Sequence, residues 1–147
     1  MPVGRRLVTL GALAVVSVAP VAAQERPCMD VTQATVSFTG VLTHKVFPGS
    51  PNFESVRKGD KPEPTYILQL RKRICVSGDK FIDKDREIDR IQVFPAEPED
   101  KAIWSELKKA IGRTVTVEGS GAFGEFNGHH HAPLLLPLTK ITPAVKG

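Results

Sequence analysis

Residues 98–112 read PEDKAIWSELKKAIG, and the punctuation of this stretch decides the fold. Pro98 suits a first helical turn, while Glu97, Glu99 and Asp100 put negative charge at the positive end of the helix dipole. Ile103, Trp104, Leu107 and Ile111 recur at helical spacing and form one apolar stripe. Lys108 and Lys109 fall in the last turn, and Gly112 is placed for a C-terminal cap. A helix with a single apolar stripe must lie against other elements, and the chain on both sides of it is periodic in two.

Upstream, Val36, Phe38, Gly40 and Leu42 share one face of a strand and Ser37, Thr39 and Thr43 the other. Gly40 in mid-strand suggests a bend or bulge, where a barrel wall curves. Tyr66, Leu68, Leu70, Ile74 and Val76 mark a second strand, with Gln69, Arg71 and Arg73 on the opposite parity. A third runs from about Ile88 to Phe94, with Ile91 and Val93 inward, and Pro95 ends it because proline has no N–H to donate. Downstream, residues 114–118 alternate as a fourth strand. Leu134, Leu136, Leu138 and Ile141 mark a fifth that ends before Pro143. The fold class is therefore mostly β with one helix. The order β-β-β-α-β-β is that of a five-stranded, partly open OB-like barrel.

The first 23 residues read as a cleaved secretory signal. Arg5 and Arg6 precede an apolar run over residues 7–19, Pro20 breaks it, and Val21, Ala22 and Ala23 supply small residues for cleavage after Ala23. The run is short for a membrane span of about 20 residues, so no stable membrane anchor is expected after cleavage. The expected location is periplasmic or secreted. Removal leaves 124 of the 147 residues, enough for one small domain. The signal holds two cations and no acid, so the formal charge falls from +4 to +2. That balance excludes a dedicated nucleic-acid binder with a strong basic stripe.

Expected boundaries are a signal peptide at 1–23, an N-terminal arm at 24–34, the OB-like domain at 35–143 and a short tail at 144–147. Within the domain, residues 48–64 carry four prolines and two glycines and read as a long loop, functional or loosely packed. The only two cysteines, Cys28 and Cys75, are expected to pair in an oxidising compartment. The bridge would close a loop worth about 4 kcal/mol in the chain-entropy model.

Gly119-Ser-Gly-Ala-Phe-Gly124 matches G-x-G-x-x-G literally, but no helix opens at the glycines, so a dinucleotide fingerprint is rejected. These glycines fit a bulged, curving strand better. Asp83, Asp85, Glu87 and Asp89 imitate the start of a calcium loop. Ile88 stands where its glycine should be, however, and Phe94 where its bidentate glutamate should be. Arg71 and Arg73 would project together from one strand face, either as an anion-binding pair or as charges guarding an edge.

FNGHHHAPLLL, residues 126–136, remains. Asn127-Gly128 is a type I′ hairpin signal, and the histidines would then open the returning strand. His129 and His131 would share a face, with His130 on the other. Two imidazoles at this spacing can bind one transition metal, but zinc needs a third or fourth ligand, for which His44 and Glu125 are the candidates. The competing role is structural, or recognition of a ligand other than a metal. No C-x-x-C, H-E-x-x-H or G-x-S-x-G is present, and no catalytic residue is assigned.

Gly112-Arg-Thr-Val-Thr-Val-Glu-Gly119 together with Gly128-His-His-His-Ala-Pro-Leu-Leu-Leu136 resembles an exported bacterial family catalogued as domain of unknown function 4431. The similarity runs over about residues 66–142 and implies a domain unit without an activity. The sequence reading is thus a non-catalytic exported binding module with no cofactor, acting on a periplasmic ligand or protein. Its surface would comprise loop 48–64, His129, His130, His131, Arg71 and Arg73. Zinc or copper held by His129 and His131 is the alternative.

Overall fold

The computed structural model describes Gly4 and residues 27–83 and 86–144; apart from Gly4, the expected signal peptide and its cleavage site lie outside the described residues. Seven strands and one helix follow in the order β1 (Met29–Asp30), β2 (Val36–Pro48), β3 (Pro62–Ser77), β4 (Glu87–Pro95), α1 (Lys101–Ala110), β5 (Thr114–Gly119), β6 (Phe123–Gly124) and β7 (Leu134–Pro143). The five long strands are those expected. The two-residue strands β1 and β6 are additions.

β2 pairs antiparallel with β3 on one side and with β5 on the other. β5 pairs antiparallel with β7, and β7 runs parallel to β4. β3 then pairs with β4, so the ladder returns on itself. The barrel is closed rather than partly open, and its strand order is that of an OB-fold. Glycine stands where neighbouring strands leave no room for a side chain. A Cβ on Gly40 would collide with the Gln69 carbonyl, and one on Gly119, beside a register shift, with the Pro137 carbonyl.

Inside, the even-numbered residues Phe38, Leu42, Tyr66, Leu68 and Leu70 meet Ile91, Val93, Val115, Val117, Leu134, Leu136 and Leu138. α1 packs against β4 and β7. Its N-cap is Asp100, whose Oδ1 accepts from the N–H groups of Ala102 and Ile103, both at 3.0 Å. Pro98 therefore precedes the helix instead of entering its first turn. Its carbonyl accepts from Trp104 Nε1 at 2.8 Å. The buried stripe is Ile103, Leu107 and Ala110, whereas Ile111 is 45% exposed, because the helix ends at Ala110 and Gly112 turns left-handed at φ +79°.

Cys28 and Cys75 form a disulfide across 47 residues of sequence. It anchors β1, which runs parallel to the end of β3 through Met29–Val76 and Asp30–Ser77. The arm is thus stitched to the barrel covalently and by a short ladder.

Candidate functional site

The β2–β3 ladder continues past the barrel to Pro48–Pro62, although β2 leaves β5 at Val41 and β3 first meets β4 at Tyr66. A two-stranded ribbon therefore projects from the barrel, tipped by residues 49–61. Proline is tolerated at its end because β3 has no second neighbour there. The tip, a segment whose composition reads as a long loop, functional or loosely packed, is held together by one acid. Asp60, 4% exposed, accepts from the backbone N–H of Asn52, Glu54 and Ser55 at 2.8–2.9 Å and from Asn52 Nδ2 at 3.1 Å. These bonds, led by the one from Ser55, hold its carboxyl below the ordinary value.

On the ribbon, Phe47 and Glu63 are directly opposite and share one face. The second component is the β6–β7 hairpin, closed by residues 125–133. Its turn is not the expected type I′, since neither Asn127 nor Gly128 has positive φ. Instead, Asn127 Oδ1 accepts from the His129 N–H at 2.9 Å, and the Asn127 carbonyl accepts from the His130 N–H at 3.1 Å. The histidines lie in this loop, and β7 starts only at Leu134.

His129 and His131 nevertheless point the same way, and both reach Glu63. His129 Nδ1 is 2.5 Å from Oε1 and His131 Nε2 is 3.0 Å from Oε2. Gln92 fixes the loop from β4: its Oε1 accepts from the His131 N–H at 2.6 Å, and its Nε2 donates to the His129 carbonyl at 3.3 Å. Aromatic rings complete the clasp. Phe53 meets His129 edge-on at 4.9 Å, close enough that a Cβ on Gly128 would lie 3.0 Å from its ring. Burial pushes the Glu63 carboxyl up, but bonds from His131 and His129, together with their charge, leave it below the ordinary value.

His130 faces away, as alternation predicted. Its Nδ1 accepts from the Phe126 N–H at 3.0 Å, and its ring packs edge-on against Phe126 at 4.4 Å and Phe123 at 5.6 Å. Burial first, then the charge of His129, holds this imidazole below the ordinary value, against an opposing pull from Glu125. Phe126, 54% exposed, continues to Phe81 at 4.8 Å, over which Lys80 Nζ sits at 4.8 Å from the ring centre.

The expected metal ligands do not assemble. His44 lies opposite Tyr66, on the other face of the ribbon from Glu63, and its ring packs on Tyr66 at 4.8 Å. Glu125 pairs with Arg86 at 3.4 Å. Among the described residues, no group of three or more His, Cys, Asp or Glu is disposed to hold a metal ion. The physical reason lies in the clasp: His129 Nδ1 and His131 Nε2 are each bonded to a different oxygen of one carboxylate. Arg71 and Arg73 also stay apart from the histidines. Arg71 lies roughly 26 Å, and Arg73 roughly 33 Å, of extended strand beyond Glu63. There β3 shifts register between Gln69 and Ile74, so that Arg71, Lys72 and Arg73 are all exposed and the pairwise alternation is lost.

Glu63 and Gln92, both missed from the sequence, are what join the two loops. Parity offered a faint signal: Glu63 is in phase with Gln69, and Gln92 alternates outward between Ile91 and Val93.

The molecule is thus a closed OB-like barrel whose first and last inter-strand loops are clasped together. Residues 90–142 match the family model described as a domain of unknown function (DUF4431), so the resemblance noted in the sequence holds over this stretch, from β4 into β7. No curated protein matches the chain.

Proposed function

We propose that the protein is a non-catalytic binding module, exported to the periplasm or secreted, whose recognition surface is the clasped rim of the barrel. One observation carries this reading. Three consecutive imidazoles each find a separate phenylalanine partner, so that residues 126–131 form a rigid aromatic rim ending in the exposed rings of Phe126 and Phe81. OB barrels recognise ligands with these same two loops, which is support by analogy of fold. The disulfide suits an oxidising compartment.

A histidine beside a carboxylate is also the start of an acid–base pair. Among the described residues, however, no hydroxyl or thiol hydrogen-bonds to either imidazole, so no nucleophile is placed. Zinc or copper at His129 and His131 has less support, because the nitrogens facing Glu63 are already bonded.

The test is an array of oligosaccharides and peptides probed with the wild-type chain and with Phe81→Ser/Phe126→Ser. A ligand whose binding falls at least tenfold in a variant of unchanged melting temperature supports the reading. Equal binding by both, turnover of any substrate that Glu63→Gln abolishes, or a stoichiometric zinc isotherm would overturn it.

A further inference from the structure

The ribbon tip carries a combination that neither the barrel core nor the histidine clasp accounts for. Its short 3-10 helix, Val56–Lys58, buries none of its residues. Val46, Phe53 and Val56 are all exposed, Val46 by 57%. Interleaved with them are Lys45, Arg57, Lys58 and Lys61, and among the described residues none of these four forms a salt bridge. Of the loop's two acids, Asp60 does not offset them from outside, because it is turned inward onto three backbone N–H groups, and exposed Glu54 alone leaves the cations in excess. A slack loop could fold its apolar side chains down against the barrel. This one is clamped in a shape that keeps Val46 and Val56 in water beside unpaired cations, while Phe53, partly exposed, rests against His129.

We propose that the ribbon tip docks reversibly on an anionic lipid surface. Phe53 and Val56 would enter the boundary between headgroups and acyl chains, while Arg57, Lys58 and Lys61 meet lipid phosphates. The aliphatic side chains decide between a bilayer and a soluble polyanion. A polyanion engages the cations but leaves Val46 and Val56 in water, whereas a bilayer takes both. The β2–β3 pairing extends beyond its neighbours β5 and β4, which carries the tip past the end of the barrel wall. The inference goes beyond the rim reading and shares with it only Phe53, whose ring also meets His129 edge-on.

The experiment is flotation of the disulfide-intact mature chain with vesicles of phosphatidylcholine and phosphatidylglycerol, and with phosphatidylcholine alone. The expected result is flotation with the anionic vesicles only, reversed by salt. Arg57→Gln/Lys58→Gln/Lys61→Gln should weaken it at least about tenfold. Val46→Ser/Val56→Ser should weaken it severalfold at unchanged melting temperature, and Phe81→Ser/Phe126→Ser should leave it intact. The proposal is overturned by no flotation, by equal flotation with neutral vesicles, or by wild-type flotation of the valine variant. It is also overturned if the Phe81/Phe126 variant loses flotation, or if polygalacturonate retains the chain with the same dependence on the valines.

Discussion

Phe47 and His131 stack face to face, ring centroids 4.1 Å apart and planes 4° from parallel. The one ring comes from the first strand of the barrel and the other from the loop before the last, so their contact joins the two ends of the barrel chain. The stack lies beside Glu63, and the carboxylate sets its geometry.

Glu63→Gln is therefore expected to destabilise the fold by about 1–3 kcal/mol, measured by urea unfolding at neutral pH. Because the folded carboxyl titrates below its ordinary value, its contribution is complete above the unfolded value of about 4.3 and is lost as pH falls through the folded value. The wild type and the variant should converge in strong acid. A gap that stays constant down to the lowest pH would show that the carboxylate is not the link.

His130 should behave in the opposite chemical sense, as a group kept neutral. Its Nδ1 accepts a backbone N–H, which a protonated ring cannot do. With its folded pKa depressed, its contribution is full above the unfolded value near 6.5 and declines as pH falls from there toward the folded value. NMR titration of the imidazole should give a midpoint below about 6.5. Replacing His130 with Phe should remove this part of the acid sensitivity.

Asp60→Asn should leave the barrel folded and release the ribbon tip. The amides of Asn52, Glu54 and Ser55 are the reporters, and their hydrogen exchange should accelerate far more than that of β5 or β7. Uniform acceleration across the barrel would mean that the loop is part of the global folding unit.

Gly119→Ala should be among the most damaging single-methyl additions. Its Cβ would enter the Pro137 carbonyl, a backbone atom that cannot swing aside, and the expected cost is about 3 kcal/mol or more. Thermal unfolding checks it, with Gly59→Ala as a contrast: there the space is open and only the positive φ of 110° opposes the methyl.

Leu107→Ala should cost about 2–5 kcal/mol, since Leu107 is fully buried on α1, while Ile111→Ala should cost under about 0.5 kcal/mol. Equal effects would contradict the observed helix end.

The Ile111 difference shows where reading a sequence stops. Helical spacing puts Ile103 and Leu107 on the buried stripe correctly but extends it wrongly to Ile111, because it cannot show that the helix ends at Ala110. Alternation found all five barrel strands because a wall with one buried face repeats every second residue. The two-residue strands β1 and β6 are too short to show a period. His129 and His131 were placed on one side correctly. Their partner was missed because Glu63 stands between two prolines, which reads as loop, and because β2–β3 pairing beyond the barrel is a long-range outcome. His44 and Glu125 were nearer in type than in place: ribbon parity turns the first away, and Arg86 takes the second.

β7 lies between β5 and β4 and hydrogen-bonds to both. During synthesis, every other barrel strand leaves the ribosome before the one that seals the sheet. The β2–β3 hairpin and the β3–β4 pair can form early from nearby segments. Closure has to await the final strand, and it depends on contacts far apart along the chain, which makes folding slow. Until then β4 and β5 each present an open ladder of the kind that recruits other chains. A chain stalled before Leu134 would therefore be an aggregation hazard rather than a slightly less stable barrel.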